Sequence, residues 1–259
     1  KAFPFDPFLR HRKVFADMLL LLLRKAADDL PHDRNPAEAA PHFSLQIGFK
    51  GSFFVIRYQG LSEYMLYGGI PLVVLRQDAG DKAVTLGRLF DEIYFRDIFR
   101  RNKIKNPGEM EDLLNILSSS VGSLTNPEKL KNTFRTVKKS RITATTVKKY
   151  LDCFEDSFLT ESAQRYDIKG RAYIETPKKY YFSDLGLRNA RINFRQFEQT
   201  HTMENVIYNE LRTRGYQVDV GVVPISLRDE DGKVIRKQLE VDFVCNLGSK
   251  RYYIQSAFS

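Results

Sequence analysis

The pattern of apolar and polar positions splits the chain into a helix-rich first part and a strand-rich end. Val206, Ile207, Tyr208 and Leu211 recur at helical spacing, so residues 203–214 are expected to form a helix with one apolar face. Gly215 stands where such a helix stops. Residues 217–223 and 239–245 are rich in β-branched and aromatic side chains and read as strands. Asp229-Glu230-Asp231-Gly232 supplies the turn between them. Residues 250–257 read as a third strand after Leu247-Gly248-Ser249.

Upstream, the period is that of helices. Residues 14–30 predict a Leu- and Ala-rich helix that Pro31 ends, followed by a loop over 31–41. Residues 43–58 alternate loosely and predict one or two strands around Lys50-Gly51. Ser62 is placed to cap a short helix over 63–67, which Gly68-Gly69 breaks and Pro71 keeps from resuming. The bend is expected to pack Tyr64, Met65, Ile70 and Val73 against a neighbouring domain. Amphipathic helices are expected over 85–101, with Arg96-Asp97 as an ion pair, and over 107–121, with Met110, Leu113, Leu114 and Leu117 inward. A short helix follows Asn126-Pro127-Glu128. A longer one is expected over 143–158, because Val147, Leu151, Phe154 and Phe158 make one stripe. Residues 159–164 and 179–183 are expected to pair as strands, with 167–176 between them, and 188–201 reads as a polar connector.

The chemistry concentrates at the end of the chain. Glu240 and Asp242 are two apart on one expected strand and so share a face, with Val241 and Phe243 on the other. Glu204 lies in the first turn of the expected preceding helix. Glu204, Glu240 and Asp242 are therefore candidate ligands of a hard cation such as Mg²⁺. The stretch MENVIYNELRTRGYQV, with LEVDFVCNLGSKRYYIQSA after it, resembles the PD-(D/E)XK nuclease-like core. More closely, it is similar to the C-terminal domain of a family of prokaryotic AAA-type ATPases, in which an ATPase core precedes a winged helix and a nuclease-like domain. LSEYMLYGGIPLVV is similar to that family's signature between the core and the winged helix, so the resemblance covers residues 61–259.

The resemblance implies a catalytic set of Glu204, Asp242 and Gln255, with Mg²⁺ as the metal. It also departs from an active nuclease: Gln255 and Ala257 stand where an acid and a lysine belong. Ala257 cannot orient or deprotonate a water, and Gln255 is a neutral ligand. A degenerate site, inactive as it stands, is therefore expected. ATP is implied by the family alone. The chain has no GxxxxGK(S/T) loop to cradle phosphates, so no residue is assigned to the nucleotide.

Charge sharpens the picture of the middle. Net charge is +9, and residues 96–150 hold 13 Lys/Arg against 5 Asp/Glu, so nearly all the excess lies there. The order helix, short helix, turn, helix, paired strands is the plan of a winged helix, as the resemblance also implies. Its third helix uses N-terminal residues in the major groove and flanking cations on phosphates. Lys138, Lys139, Arg141, Thr145, Lys148 and Lys149 are the candidates for duplex DNA, with Lys169, Arg171, Lys178 and Lys179 expected on the wing. The two cysteines, Cys153 and Cys245, form no CxxC, which fits a reducing cytosol and a cytoplasmic location. No apolar run approaches the ~20 residues of a membrane span.

The expected whole is α+β or α/β. It comprises an unplaced segment 1–60, the GG-P signature and linking helix 61–106, a winged helix 107–190, and a small mixed-sheet PD-(D/E)XK-like domain 200–259. That domain is expected to be truncated, since the sheet's remaining strand and helix would follow Ser259. The expected function is that of the C-terminal part of an AAA-family ATP-binding protein that binds double-stranded DNA. The alternatives are a Mg²⁺-dependent DNA nuclease and a protein-interaction scaffold without enzymatic activity, held by a protein partner.

Overall fold

The computed structural model describes residues 44–45, 52–195, 198–228 and 234–256. The helix expected over 14–30, the loop after it and the turn at 229–232 lie outside the described residues. In chain order the elements begin with β1 (Ser44–Leu45), α1 (Ser52–Tyr67), α2 (Pro71–Val74) and α3 (Ala79–Arg88). A π-helical stretch, Leu89–Phe95, joins α3 to α4 (Arg96–Asn102). Then come α5 (Pro107–Ser119), β2 (Leu124–Thr125), α6 (Pro127–Val137) and α7 (Ala144–Asp156). The hairpin β3 (Thr160–Asp167) and β4 (Ala172–Phe182) leads to α8 (Leu185–Arg191) and α9 (Gln199–Thr213). Strands β5 (Gln217–Arg228), β6 (Val234–Leu247) and β7 (Lys250–Ser256) close the chain.

Six strands form one mixed sheet in the order β7-β6-β5-β3-β4-β2, and the two-residue β1 extends it beside β7. The join is between β3 and β5, which run parallel with Arg165 opposite Val220 and Asp167 opposite Val222. The other neighbours in those six are antiparallel. The hairpin expected near 159–183 and the strands expected after 217 thus belong to a single sheet.

Alternation along β4 explains how the two sides of the sheet are filled. Tyr180 and Phe182 enter a helical core with Phe90, Met110, Leu113, Leu114, Phe134, Val147 and Phe154. Tyr181, between them, points the other way, into a core with Val206, Tyr208 and Leu211 of α9 and Val220 and Phe243 of the sheet. The buried face expected for α5 is as read: Met110, Leu113, Leu114 and Leu117 are all buried.

Helix ends account for several departures. The helix expected from Glu63 begins at Ser52, so residues 52–58 are helical rather than a strand and Ser62 lies inside α1. An aromatic and β-branched run carries only a weak strand preference, which the helix it continues into overrides. The 188–201 connector contains most of α8, whose N-cap is Asp184, with Oδ1 accepting from Leu187 N at 3.1 Å. Asp97 pairs with Arg101 one turn on, not with the adjacent Arg96, because residues four apart share a helix face.

Phe158 leaves its stripe altogether. Helix α7 ends at Asp156, Phe158 takes φ 57°, and its side chain is 81% exposed. Phe158 N donates to Glu155 O and Leu159 N to Phe154 O, the reversed-turn pattern that closes a helix, and buried Leu159 sits against the core in its place.

The glycine pair after α1 is built around Asp184. Gly68 has φ +73°, and a Cβ there would lie 2.1 Å from Asp184 Oδ1. Gly69 N donates to Asp184 Oδ2 at 2.7 Å. Burial pushes the Asp184 carboxyl up, and the surrounding backbone amides pull it down. Met65 and Val73, on either side of the bend, enter different cores.

Candidate functional site

Three elements bring the expected carboxylates together. Glu204 lies in the second turn of α9, which starts earlier than expected, and its side chain is largely buried. Glu240 and Asp242 come from β6. Opposite them the ladder skips a residue: Asp219 pairs with Val244 but Gly221 with Val241. Such a bulge re-aims side chains. Here it lets Phe243 enter the core under α9 while its neighbour Asp242 stays close enough to feel Glu204. The strict alternation expected for Glu240–Phe243 is therefore broken at this point.

The residue that organises the cluster was expected elsewhere. Lys179, placed by sequence reasoning on the exposed wing, is buried. Its Nζ donates to Glu204 Oε1 at 2.9 Å and to Glu240 Oε1 at 2.7 Å. The Tyr181 hydroxyl, two residues on along the same face of β4, donates to Glu204 Oε1 at 2.6 Å. Gly122 lies against the same carboxylate, where a Cβ would approach Oε1 to 3.3 Å. Asp242 Oδ2 accepts from Ser256 N at 2.7 Å, and Gln255 Oε1 accepts from Asp242 N at 3.4 Å. Gln255 therefore reaches the cluster, on the backbone of Asp242.

The electrostatics follow from burial and neighbours. Burial acts against the Lys179 ammonium, but Glu204 and Glu240 outweigh it and its pKa is raised. Burial, then Glu204, raises that of Asp242. Burial and the adjacent Glu204 push the Tyr181 phenol well above its ordinary value, so it acts as a donor. Among the described residues, no group of three or more His, Cys, Asp or Glu side chains is arranged to hold a metal ion.

Lys179 and Tyr181 were missed as site residues, though a signal existed. Lys179 shares its strand face with Tyr181 and not with Tyr180 or Phe182. A lysine on a buried face needs an acidic partner.

The second arrangement is the basic face at the start of α7. Lys138, Lys139, Arg141, Thr145, Lys148 and Lys149 are all exposed. Thr143 caps the helix, its Oγ1 accepting from Thr146 N at 3.2 Å. Ile142 and Val147 are buried, which turns the polar side of this first turn outward. Lys138 Nζ pairs with Asp112 at 2.9 Å. Of the other cations expected on the wing, Arg171 and Lys169 are exposed, although Lys169 Nζ also donates to Pro224 O at 3.1 Å. Lys178 is half-buried. No helix among the described residues is long and apolar enough to cross a membrane.

Comparison with known proteins locates these features. A family model, the domain of unknown function DUF8612, matches residues 58–198. That span holds α7, the glycine bend, Lys179 and Tyr181, whereas Glu204, Glu240 and Asp242 lie beyond it. An uncharacterized protein of Haemophilus influenzae is 36% identical over 197 residues, which is 76% of this chain and 46% of that protein. An uncharacterized protein of Methanocaldococcus jannaschii is 26% identical over 198 residues, 76% of this chain and 42% of its own. The chain spans less than half the length of either curated relative. No solved structure matches. With more than half of its residues covered by the family model, the chain belongs to the DUF8612 family.

Proposed function

We propose that this chain is a duplex-DNA-binding module in which residues 107–182 act as a winged helix. The observation that carries the reading is the exposed cationic face at the start of α7, with Lys139, Arg141, Lys148 and Lys149 around a capped helix N-terminus. The order α5, β2, α6, α7, β3, β4 supports it, as does the antiparallel pairing of β4 with both β2 and β3. In such a module the first turn of α7 enters the major groove, Thr145 reaches base edges, and the lysines and arginine hold phosphates. Arg171, exposed at the tip of the β3–β4 hairpin, would add a backbone contact.

The strands and helix after residue 199 are read as a degenerate nuclease-like unit, because Lys179 and Gln255 stand among the carboxylates that catalysis would use. In longer proteins of this kind we propose that the module follows an ATP-binding core.

Fluorescence anisotropy with a labelled duplex, titrated at several salt concentrations, tests the DNA reading. The wild-type chain should bind with an affinity that falls steeply with salt. Replacing both Lys148 and Lys149 by Glu should abolish binding, and removing one phosphate contact should flatten the plot of log K against log salt by about 0.9. Equal low-salt affinity of the wild type and the double variant would overturn the proposal. Absent DNA binding, with a protein co-purifying instead, would favour the scaffold.

A further inference from the structure

We infer that Lys179 is the resident cation of the Glu204–Glu240–Asp242 cluster, filling the place that the resemblance gives to Mg²⁺. The inference is independent of DNA binding. A magnesium ion needs oxygen lone pairs at about 2.0–2.1 Å in near-octahedral array, with room for several waters. Here one oxygen of each carboxylate is already engaged. Lys179 Nζ takes Glu204 Oε1 and Glu240 Oε1, at 2.9 and 2.7 Å. Tyr181 takes Glu204 Oε1 as well, and the Ser256 amide takes Asp242 Oδ2. Gly122 closes over Glu204 with backbone, leaving little space on that side. The residues present do not fit a hexahydrate-derived ion while the ammonium is there.

The ammonium is held in place by the fold and is no incidental contact. Lys179 is carried by β4 between Lys178 and Tyr180, and its backbone is paired on both sides, with Ala163 of β3 and Leu124 of β2. The side chain is 5% exposed. Its two carboxylate partners come from α9 and from β6, beyond the parallel join of the sheet. One cation therefore ties the helical half of the molecule to the strand-rich half. A lysine in this position does the structural part of a metal's work, neutralising convergent carboxylates, without supplying a Lewis acid or a bound water.

The test uses the whole chain, with Mn²⁺ followed by electron paramagnetic resonance and by thermal melting. The wild type should bind no Mn²⁺ at this cluster, and its melting temperature should be the same in EDTA, Mg²⁺ and Mn²⁺. Lys179→Met removes the ammonium and leaves the carboxylates facing one another. Its melting temperature in EDTA should fall by roughly 10 °C, the scale for breaking a buried ion pair. Added Mn²⁺ should recover part of that loss, and Asp242→Asn in the same background should cancel the recovery. Lys179→Arg should keep most of the wild-type stability in EDTA. If Lys179→Met does not fold, the wild-type titration still decides. Stoichiometric Mn²⁺ binding by the wild type that Asp242→Asn removes would overturn the inference, and so would a Lys179→Met protein as stable as the wild type.

Discussion

Lys179 shows how one residue can carry a site that its own neighbourhood in the sequence does not announce. KKYYF reads as a basic edge followed by an aromatic patch, and the two lysines look equivalent. The pleat separates them: Lys178 is half-buried beside the hairpin, while Lys179 goes inward with Tyr181. The carboxylates themselves were legible, because Glu240 and Asp242 stood two apart on a clear strand and Glu204 on a clear helix. Their cation was not, because it lies on another strand that only the fold brings near. The pairing sets a pH dependence. The folded state holds the Lys179 proton more tightly than the unfolded chain, where the group titrates near 10.5. Its stabilisation is therefore complete below that value and is lost as pH rises through the higher folded value. In denaturant melts of wild type and Lys179→Met from pH 8 to about 12, the gap should hold up to 10.5 and narrow above it. A gap that stays constant to the highest pH would assign the stabilisation to packing of the lysine stem instead.

Among elements, two helix ends make the comparison. Helices α7 and α9 close in the same way, with the residue after the cap in the left-handed region and the next residue bonded back to the helix. At α9 that residue is Gly215, φ +84°, and the sequence announced the stop. At α7 it is Phe158, and nothing in an apolar stripe announces a stop. The backbone there is adopted against the residue's preference because buried Leu159 anchors the start of β3. Phe158→Gly should therefore stabilise the protein, by about 0.5–1 kcal/mol, since the ring is mostly in water and little burial is lost. A shift of the urea midpoint to higher concentration checks this, and a shift downward would show that the ring packs on something. The start of α1 illustrates the converse. Ser62 is a good capping residue by type, but capping requires a helix boundary, and none lies there.

For the whole molecule, composition and periodicity gave the α+β character and the division into a helical middle and a strand-rich end. They did not give the junction, because a parallel pairing between β3 and β5 leaves no local mark: its partners are set by tertiary packing, not by a turn. That junction has a measurable outcome. Strand β4 walls both hydrophobic cores, with Phe182 in one and Tyr181 in the other. The described region should therefore melt in one transition, with far-ultraviolet circular dichroism and tyrosine fluorescence coinciding. Separate transitions by the two probes would show that the halves are independent.

The β3–β5 pairing also bears on how the chain acquires its shape as it is made. Arg165 meets Val220 only after α8 and α9 have been synthesised. Until then the outer edge of β3 presents unmatched amides and carbonyls, the condition under which strands recruit foreign partners. Long-range contacts form slowly, so this edge is the vulnerable feature of a nascent chain. Overproduction at high temperature should accordingly drive aggregation through residues 160–167, and slowing synthesis should not relieve it unless β5 has left the ribosome.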